Sequence, residues 1–349
     1  MRCGRTAPRC LPAALFLVRL SCARLHDRYP QFELHPFNVA SLDEQPLAVL
    51  GSIAAVAAPG SMASAAIGRQ PTIYRIWAVL ADVRTNRVLT REMVWVRAGD
   101  IDQTPTAFFR DSPAWTPDPV AAAYIRTCSS TPGTPIDPVY LHALRAQAWI
   151  ADGGVAYDAG RYREALARYS DALREPGGEQ LRTLNGVYLS NLALGQRRAA
   201  EAAFARLVDY GLAHGRLAVK FLFRPGSTAF WPDPAVSGPY PMWLRQIAIR
   251  VNERAACLVV DGHTSVSGSA VRNDELSRAR AERVRAQLVA IRPPLRDRTQ
   301  AKGFGSRQPI VGTGTDDVTD ALDRRVEFKS QPCPVASAAP AGKALGNKV

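Results

Sequence analysis

The segment Asp261-Gly-His-Thr-Ser265 places a carboxylate, an imidazole and two hydroxyls within five residues. It directly follows Ala255 to Val260, an apolar run that reads as a buried strand. In α/β layers, ligand sites collect at the C-terminal edge of such strands. Thr264 and Ser265 supply hydroxyls, Gly262 permits a tight turn, and the bend offers N–H groups that can hold a carboxylate. The second chemical feature is Arg280. Between 274 and 291, Leu276, Val284, Leu288 and Ile291 form the apolar stripe of a helix. Arg280 lies inside that stripe, one turn from Leu276 and from Val284. A charge placed there must be paired or must reach a ligand. Two readings stay open. One is an internal salt bridge, to Asp261 or Asp323. The other is a bidentate clamp on an anionic ligand.

His263 beside Ser265 also invites a hydrolase reading. No Ser–His–acid set in chain order, metal-spaced histidines, Gly-rich phosphate loop or paired carboxylates occur elsewhere. The sequence therefore predicts a non-enzymatic protein with no catalytic residue, no metal and no cofactor. The net charge is +13. Nearly all basic residues are Arg, and they are spread along the chain rather than clustered on one element. That pattern predicts no nucleic-acid partner. It suits attraction to anionic cell-wall peptide or lipid head groups. Six cysteines occur and none forms a CxxC pair, so zinc and thioredoxin-like chemistry have no support. Cys257 and Cys333 pair in an oxidising compartment, or Cys257 is a buried free thiol; the free thiol is the preferred reading.

The elements that must hold these groups fall into an α+β multidomain chain. Residues 1–28 carry Arg2, Arg5 and Arg9 before the apolar run Leu11 to Val18, then Arg19 and Cys22, in the shape of a short signal segment. A lipid anchor at Cys22 and an incorrect start codon both stay open. Residues 29–100 predict an α/β domain containing a hairpin, with strands in 47–56, 72–82 and 88–96 about an Arg84–Arg87 turn. Residues 101–138, rich in Pro, Asp, Thr and Ser, predict a connector with little regular structure, although Phe108, Phe109 and Trp115 lie in it. Residues 139–215 predict paired helices. Trp149, Gly153, Tyr157, Gly160, Tyr162, Ala165, Tyr169 and Ala172 fall at the offsets of a tetratricopeptide repeat, and Gly195, Ala200 and Phe204 repeat it 35 residues later. Two such units rarely bury a core alone, so they should lean on their neighbours. Residues 217–330 alternate strand and helix, with Asn273 as a helix cap. The tail 331–349 is Ala/Pro-rich and predicts disorder.

Asp261-Gly-His-Thr-Ser-Val-Ser-Gly268, then Asn273, Leu276-Ser277, Arg280-Ala281 and Val284, Gly303-Phe-Gly305, Gln308-Pro-Ile310 and Asp323-Arg-Arg-Val-Glu-Phe328 resemble the OmpA-like C-terminal domain. The resemblance implies a βαβαββ fold and non-covalent binding of the peptidoglycan stem peptide. It implies that Arg280 holds a diaminopimelate carboxylate, with Thr264, Ser265, Asp323 and Arg324 at the same site. Gly262, His263, Gly268 and Asn273 would shape the turn. Two positions depart from the family pattern. Ser265 stands where an aspartate contacts the ligand's ammonium, and Asp323 stands where an asparagine precedes two arginines. A lost ammonium partner weakens binding by about 1–3 kcal/mol. The resemblance further implies a cell-envelope protein on the periplasmic side of the outer membrane, recruiting a protein partner through its repeats. An assembly scaffold with lost wall affinity is the alternative. The hairpin around Asp82-Val-Arg-Thr-Asn-Arg-Val88 is similar to lipoprotein activators of penicillin-binding proteins of the LpoB and CsgG types.

Overall fold

The computed structural model describes residues 35–56, 73–97, 100, 106–114, 118–309, 323–331 and 333. The leader-like segment with Cys22, Trp115 and the tail beyond Cys333 lie outside the described residues. No helix among the described residues is long and apolar enough to cross a membrane.

A short helix α1 (Val39–Glu44) precedes three antiparallel strands, β1 (Leu47–Val56), β2 (Ile73–Asp82) and β3 (Arg87–Arg97), in the order β1-β2-β3. The β2–β3 turn is fixed by its own residues. The Asp82 carboxylate accepts the Arg84 and Thr85 N–H groups at 2.8 and 3.1 Å, and Asn86 takes φ 57°. The region 101–138 departs from the expected irregular connector. It holds α2 (Ala107–Asp111) and α3 (Pro119–Ser129), and α4 (Pro138–His142) follows. The prolines that suggested breaks are helix starters. Asp118 and Asp137 cap the two helices whose first residues are Pro119 and Pro138. Helix α3 then lies on the sheet, joining Val120, Ala123 and Cys128 to Leu50, Val79 and Ala81 in one apolar cluster.

The middle region is two antiparallel helix pairs. They are α5 (Leu144–Asp158) with α6 (Tyr162–Arg174), and α7 (Leu181–Ala193) with α8 (Arg197–Ala213). Gly160 and Gly195 turn the pairs at φ 74° and 72°, a conformation that costs glycine least. The fully buried Tyr169 ring sets the spacing between pairs. A Cβ at Gly153 would sit 2.9 Å from that ring and one at Gly186 only 2.4 Å. Small residues on α5 and α7 therefore make room for one aromatic from α6.

The C-terminal region begins with β4 (Arg216–Val219), followed by α9 (Pro234–Ser237), α10 (Tyr240–Glu253), β5 (Cys257–Gly262), α11 (Ala270–Ile291), β6 (Thr299–Gly303) and β7 (Val326–Gln331). The sheet order is β4-β7-β5-β6, with β5 and β6 parallel and the other pairs antiparallel. This is the expected βαβαββ arrangement, with a first strand shorter than the apolar run Leu217 to Phe223 suggested. The chain leaves the sheet after Val219 and pairs again at Phe223 with Phe230. Cys257 forms a disulfide with Cys333, which corrects the free-thiol reading. The strand β7 returns antiparallel to β5, and Cys257 lies across from Gln331, two residues from Cys333. That return could not be read from cysteine spacing.

Helix α10 belongs to two layers at once. Its Trp243 stacks on Phe204 of α8 with ring centroids 5.5 Å apart and donates its indole N–H to the Tyr188 hydroxyl of α7 at 2.8 Å. Its polar edge reaches α8 through Arg245 and Gln246, which donate to Glu201 at 2.7 Å. A single apolar core thus runs from Tyr157 through Phe204 and Trp243 to Phe328. The helical pairs lean on the C-terminal domain, as their small number required.

Buried Lys220, just after β4, ties the N-terminal side to this core. Its Nζ donates to the carbonyls of Phe109 and Arg110 at 3.1 and 2.8 Å, at the end of α2. Desolvation lowers its pKa from 10.5 to about 8. The folded pKa lies below the unfolded one, so the unfolded chain binds more protons between pH 8 and 10.5. Stability should therefore rise as pH climbs from about 8, until the buried tyrosines reverse the trend above pH 10 by staying neutral in the fold. Urea midpoints at pH 7, 8, 9 and 10 should show that rise, and Lys220→Met should flatten it. Separately, Gly186→Ala should lower stability by about 1–3 kcal/mol through the clash with Tyr169, measured by thermal unfolding.

Candidate functional site

The site is assembled where α11 crosses the ends of β5 and β6. The crossing is close because two strand-end positions lack side chains. A Cβ at Gly262 would lie 2.0 Å from the Ser277 carbonyl oxygen, and one at Gly303 would lie 2.6 Å from Ser277 Oγ. Gly262 is thus the last residue of β5 and a contact point for the helix, rather than the tight-turn residue expected from the sequence. Ser277 then bridges the layers. Its Oγ donates to the Asp274 carbonyl and accepts the Gly305 N–H, each at 2.9 Å.

The bend that follows β5 is held by backbone bonds on both sides. His263 N–H donates to the Arg325 carbonyl at 3.0 Å, and Thr264 N–H donates to the Gly305 carbonyl at 2.9 Å. The His263 ring stacks on Phe304 with centroids 5.5 Å apart. Ser265 Oγ and Ser267 Oγ lie 3.2 Å apart. Thr264 is buried, and its hydroxyl has no hydrogen-bond partner among the described residues. Gly268 sits at φ 88° and closes the bend. Asn273 is inside α11 rather than at its cap, which corrects the expectation. Ser269 Oγ makes the cap, accepting the Arg272 N–H. The Asn273 amide instead donates to the carbonyls of Ser265 and Ser267 at 3.4 and 3.0 Å, which pins the bend to the helix. A short polar residue four positions from a glycine-containing loop satisfies either role, so the sequence alone did not separate them.

Arg280 points inward, as its place in the stripe required, and is 1% exposed. Part of its coordination comes from backbone that neither reading named. Asp261 pairs with Lys329 on the neighbouring strand, Nζ to Oδ2 at 2.6 Å. The Arg280 guanidinium instead donates through Nε to the Ser227 carbonyl at 3.0 Å and through an Nη to the Arg224 carbonyl at 3.1 Å. It lies 5.0 Å above the Phe223 ring. These contacts join it to the segment 223–227. Asn273 and Arg280 are about two turns apart on one face of α11, so their Cα atoms lie about 10 Å apart along the helix axis.

The remaining expected site residues, Asp323 and Arg324, are also buried, at 0% and 2% exposed. They lead into Arg325, whose Nε and an Nη each reach Glu327 Oε1 at 2.8 Å in a pair that is itself buried. Arg325 also donates to the Gln308 carbonyl at 3.2 Å. Thr264, Ser265, Asp323, Arg324 and Arg280 are all nearly inaccessible, and the bond from His263 N–H to the Arg325 carbonyl brings the bend beside the start of β7. Phe223, Arg224 and Ser227 were not singled out in the sequence. Their signal is Phe221-Leu-Phe-Arg-Pro-Gly-Ser227, where an apolar strand breaks at Pro225-Gly226 beside the carbonyls that Arg280 binds. The carbonyl acceptors are backbone atoms, and no residue type announces them.

Residues 242–321 match the family model described as the OmpA family. The chain is similar to part of several solved structures. The peptidoglycan-associated lipoprotein from Burkholderia pseudomallei is 23% identical, over 32% of this chain and 88% of that one, with a TM-score of 0.28. The cell wall anchor of the T6SS from Pseudomonas aeruginosa is 24% identical, over 33% and 79%, with a TM-score of 0.27. The periplasmic domain of Helicobacter pylori MotB is 21% identical, over 34% and 74%, with a TM-score of 0.27. No curated protein matches the chain. With the glycine-mediated crossing, the His-Thr-Ser bend and the inward arginine all inside the matched segment, residues 242–321 form an OmpA-family domain.

Proposed function

We propose that this chain is a non-enzymatic cell-envelope protein that holds peptidoglycan through residues 217–330. The single observation that carries the reading is the OmpA-family match over 242–321, which encloses the bend at Thr264 and Ser265 and the inward Arg280. A buried guanidinium fixed by carbonyl oxygens is pre-oriented at no further entropic cost, which favours recognition of a carboxylate. The Thr264 hydroxyl supplies a buried donor with no partner among the described residues. Asp323 and Arg324 complete the site under this reading. The Cys257–Cys333 disulfide supports an oxidising compartment, as the periplasm provides. The outer-membrane side and a lipid anchor at Cys22 belong to the same proposal. The two helix pairs would present their outer faces to a protein partner.

A second reading is favoured by burial. Thr264, Ser265, Arg280, Asp323 and Arg324 are all at most 4% exposed, and Ser265 lacks the family's carboxylate. A scaffold that has lost wall affinity fits those two facts. Deleting 217–349 cannot separate the readings, because Trp243 fills the core of the helix pairs.

Co-sedimentation of the full chain with purified sacculi separates them. Wild type should pellet with the wall. Arg280→Lys, which keeps the charge and loses the planar fork, should bind about tenfold more weakly. Ser265→Asp should bind more tightly, by about 1–3 kcal/mol, through a restored partner for the ligand ammonium. Wild type that stays in the supernatant while Ser265→Asp pellets selects the scaffold. If neither pellets, wall binding is lost as an explanation.

A further inference from the structure

Strand β3 is an edge strand, and its free part is self-complementary. The start of β3 is covered, because Val88 exchanges backbone bonds with Gly133 and Thr134 and Arg87 bridges to Pro135. From Leu89 to Arg97 the outer backbone meets no backbone partner among the described residues. Leu89, Met93, Val94 and Trp95 are 46%, 47%, 52% and 51% exposed. A long apolar edge of this kind is normally blunted by lysine, proline or a covering element. Here residues 89–97 contain neither lysine nor proline.

We propose that β3 pairs antiparallel with β3 of a second copy, about a twofold axis at Met93, to give a six-stranded sheet. The free stretch 89–97 is centred on residue 93, so this register pairs all of it. A twofold perpendicular to the sheet keeps each pair on one face, which allows only registers whose paired numbers sum to an even value. Moving the axis to Glu92 sets Glu92 against its own copy. Moving it to Val94 sets Arg91 against Arg97 of the copy. Like charges directly opposite destabilise a strand pair. With the axis at Met93 no like charges face one another. Arg91 then lies across from the copy's Trp95, and Arg97 across from the copy's Leu89. The chain already uses this chemistry within its own sheet, where the Arg75 guanidinium lies 4.0 Å over Trp77 and 5.6 Å from Trp95. In the dimer each Trp95 would meet an arginine on both sides.

Analytical ultracentrifugation of the full chain over a micromolar dilution series should show a monomer–dimer equilibrium. Met93→Lys places two charges on the axis and should raise the dimer dissociation constant at least about tenfold. Val139→Lys, equally exposed on α4, should leave it unchanged. Register is read by oxidation in a chain with Cys3, Cys10, Cys22 and Cys128 replaced by Ser. Met93→Cys should give a disulfide-linked dimer, and Thr90→Cys, which faces Val96 of the copy, should not. If Met93→Lys does not fold by circular dichroism, the cysteine pair decides alone. A monomer at every concentration, open-ended polymers, or equal cross-linking at 90 and 93 would each overturn the proposal.

Discussion

Trp243 is the side chain on which the arrangement of this protein turns. Its ring stacks on Phe204, its N–H satisfies Tyr188, and the helix that carries it covers the C-terminal sheet. Two helix pairs cannot close a core by themselves, and a four-stranded sheet needs helices on its exposed face. One helix meets both needs. The consequence is mechanical. The helical region and the OmpA-family domain cannot move independently without separating Trp243 from Phe204, a contact worth about 0.5–1.5 kcal/mol beyond the apolar area it buries.

A second constraint, of distance rather than burial, shapes the candidate site. Helix α11 approaches β5 and β6 so closely that Gly262 and Gly303 have no room for a side chain. That approach lets Ser277 and Asn273 bond across the layers and hold the His263–Gly268 bend in place. The same packing closes the site. Burial raises the value of each polar contact, since an unmet donor or acceptor inside costs about 1–3 kcal/mol. It also makes access a condition for any ligand. Family membership and burial therefore pull the functional reading in different directions, and the Ser265 hydroxyl sits where the two meet.

The edge β3 has the opposite character. It is exposed and apolar, and its charges are spaced so that the register pairing all of residues 89–97 avoids every direct repulsion. The site and the edge lie in separate apolar clusters, one built on β1–β3 with α3 and the other on the shared helical core. Lys220 fixes α2 onto the shared helical core by holding the carbonyls of Phe109 and Arg110.

Much of this was legible in the sequence, and the exceptions have a common cause. The βαβαββ order, the helix pairs turned at Gly160 and Gly195, and the inward Arg280 follow from period and residue type, which act over a few residues. What Arg280 touches does not. Its acceptors are the carbonyls of Arg224 and Ser227, more than 50 residues away, and every residue has a carbonyl. The Cys257–Cys333 disulfide is likewise made by β7 returning beside β5, a pairing 76 residues apart. The helices at Pro119 and Pro138 were hidden because proline both starts and breaks helices, and only the capping aspartates' geometry tells which. Sequence determined which elements form and which faces they bury. The tertiary structure alone decided which backbone atoms meet the buried charges, because that depends on distances the chain acquires only on closing.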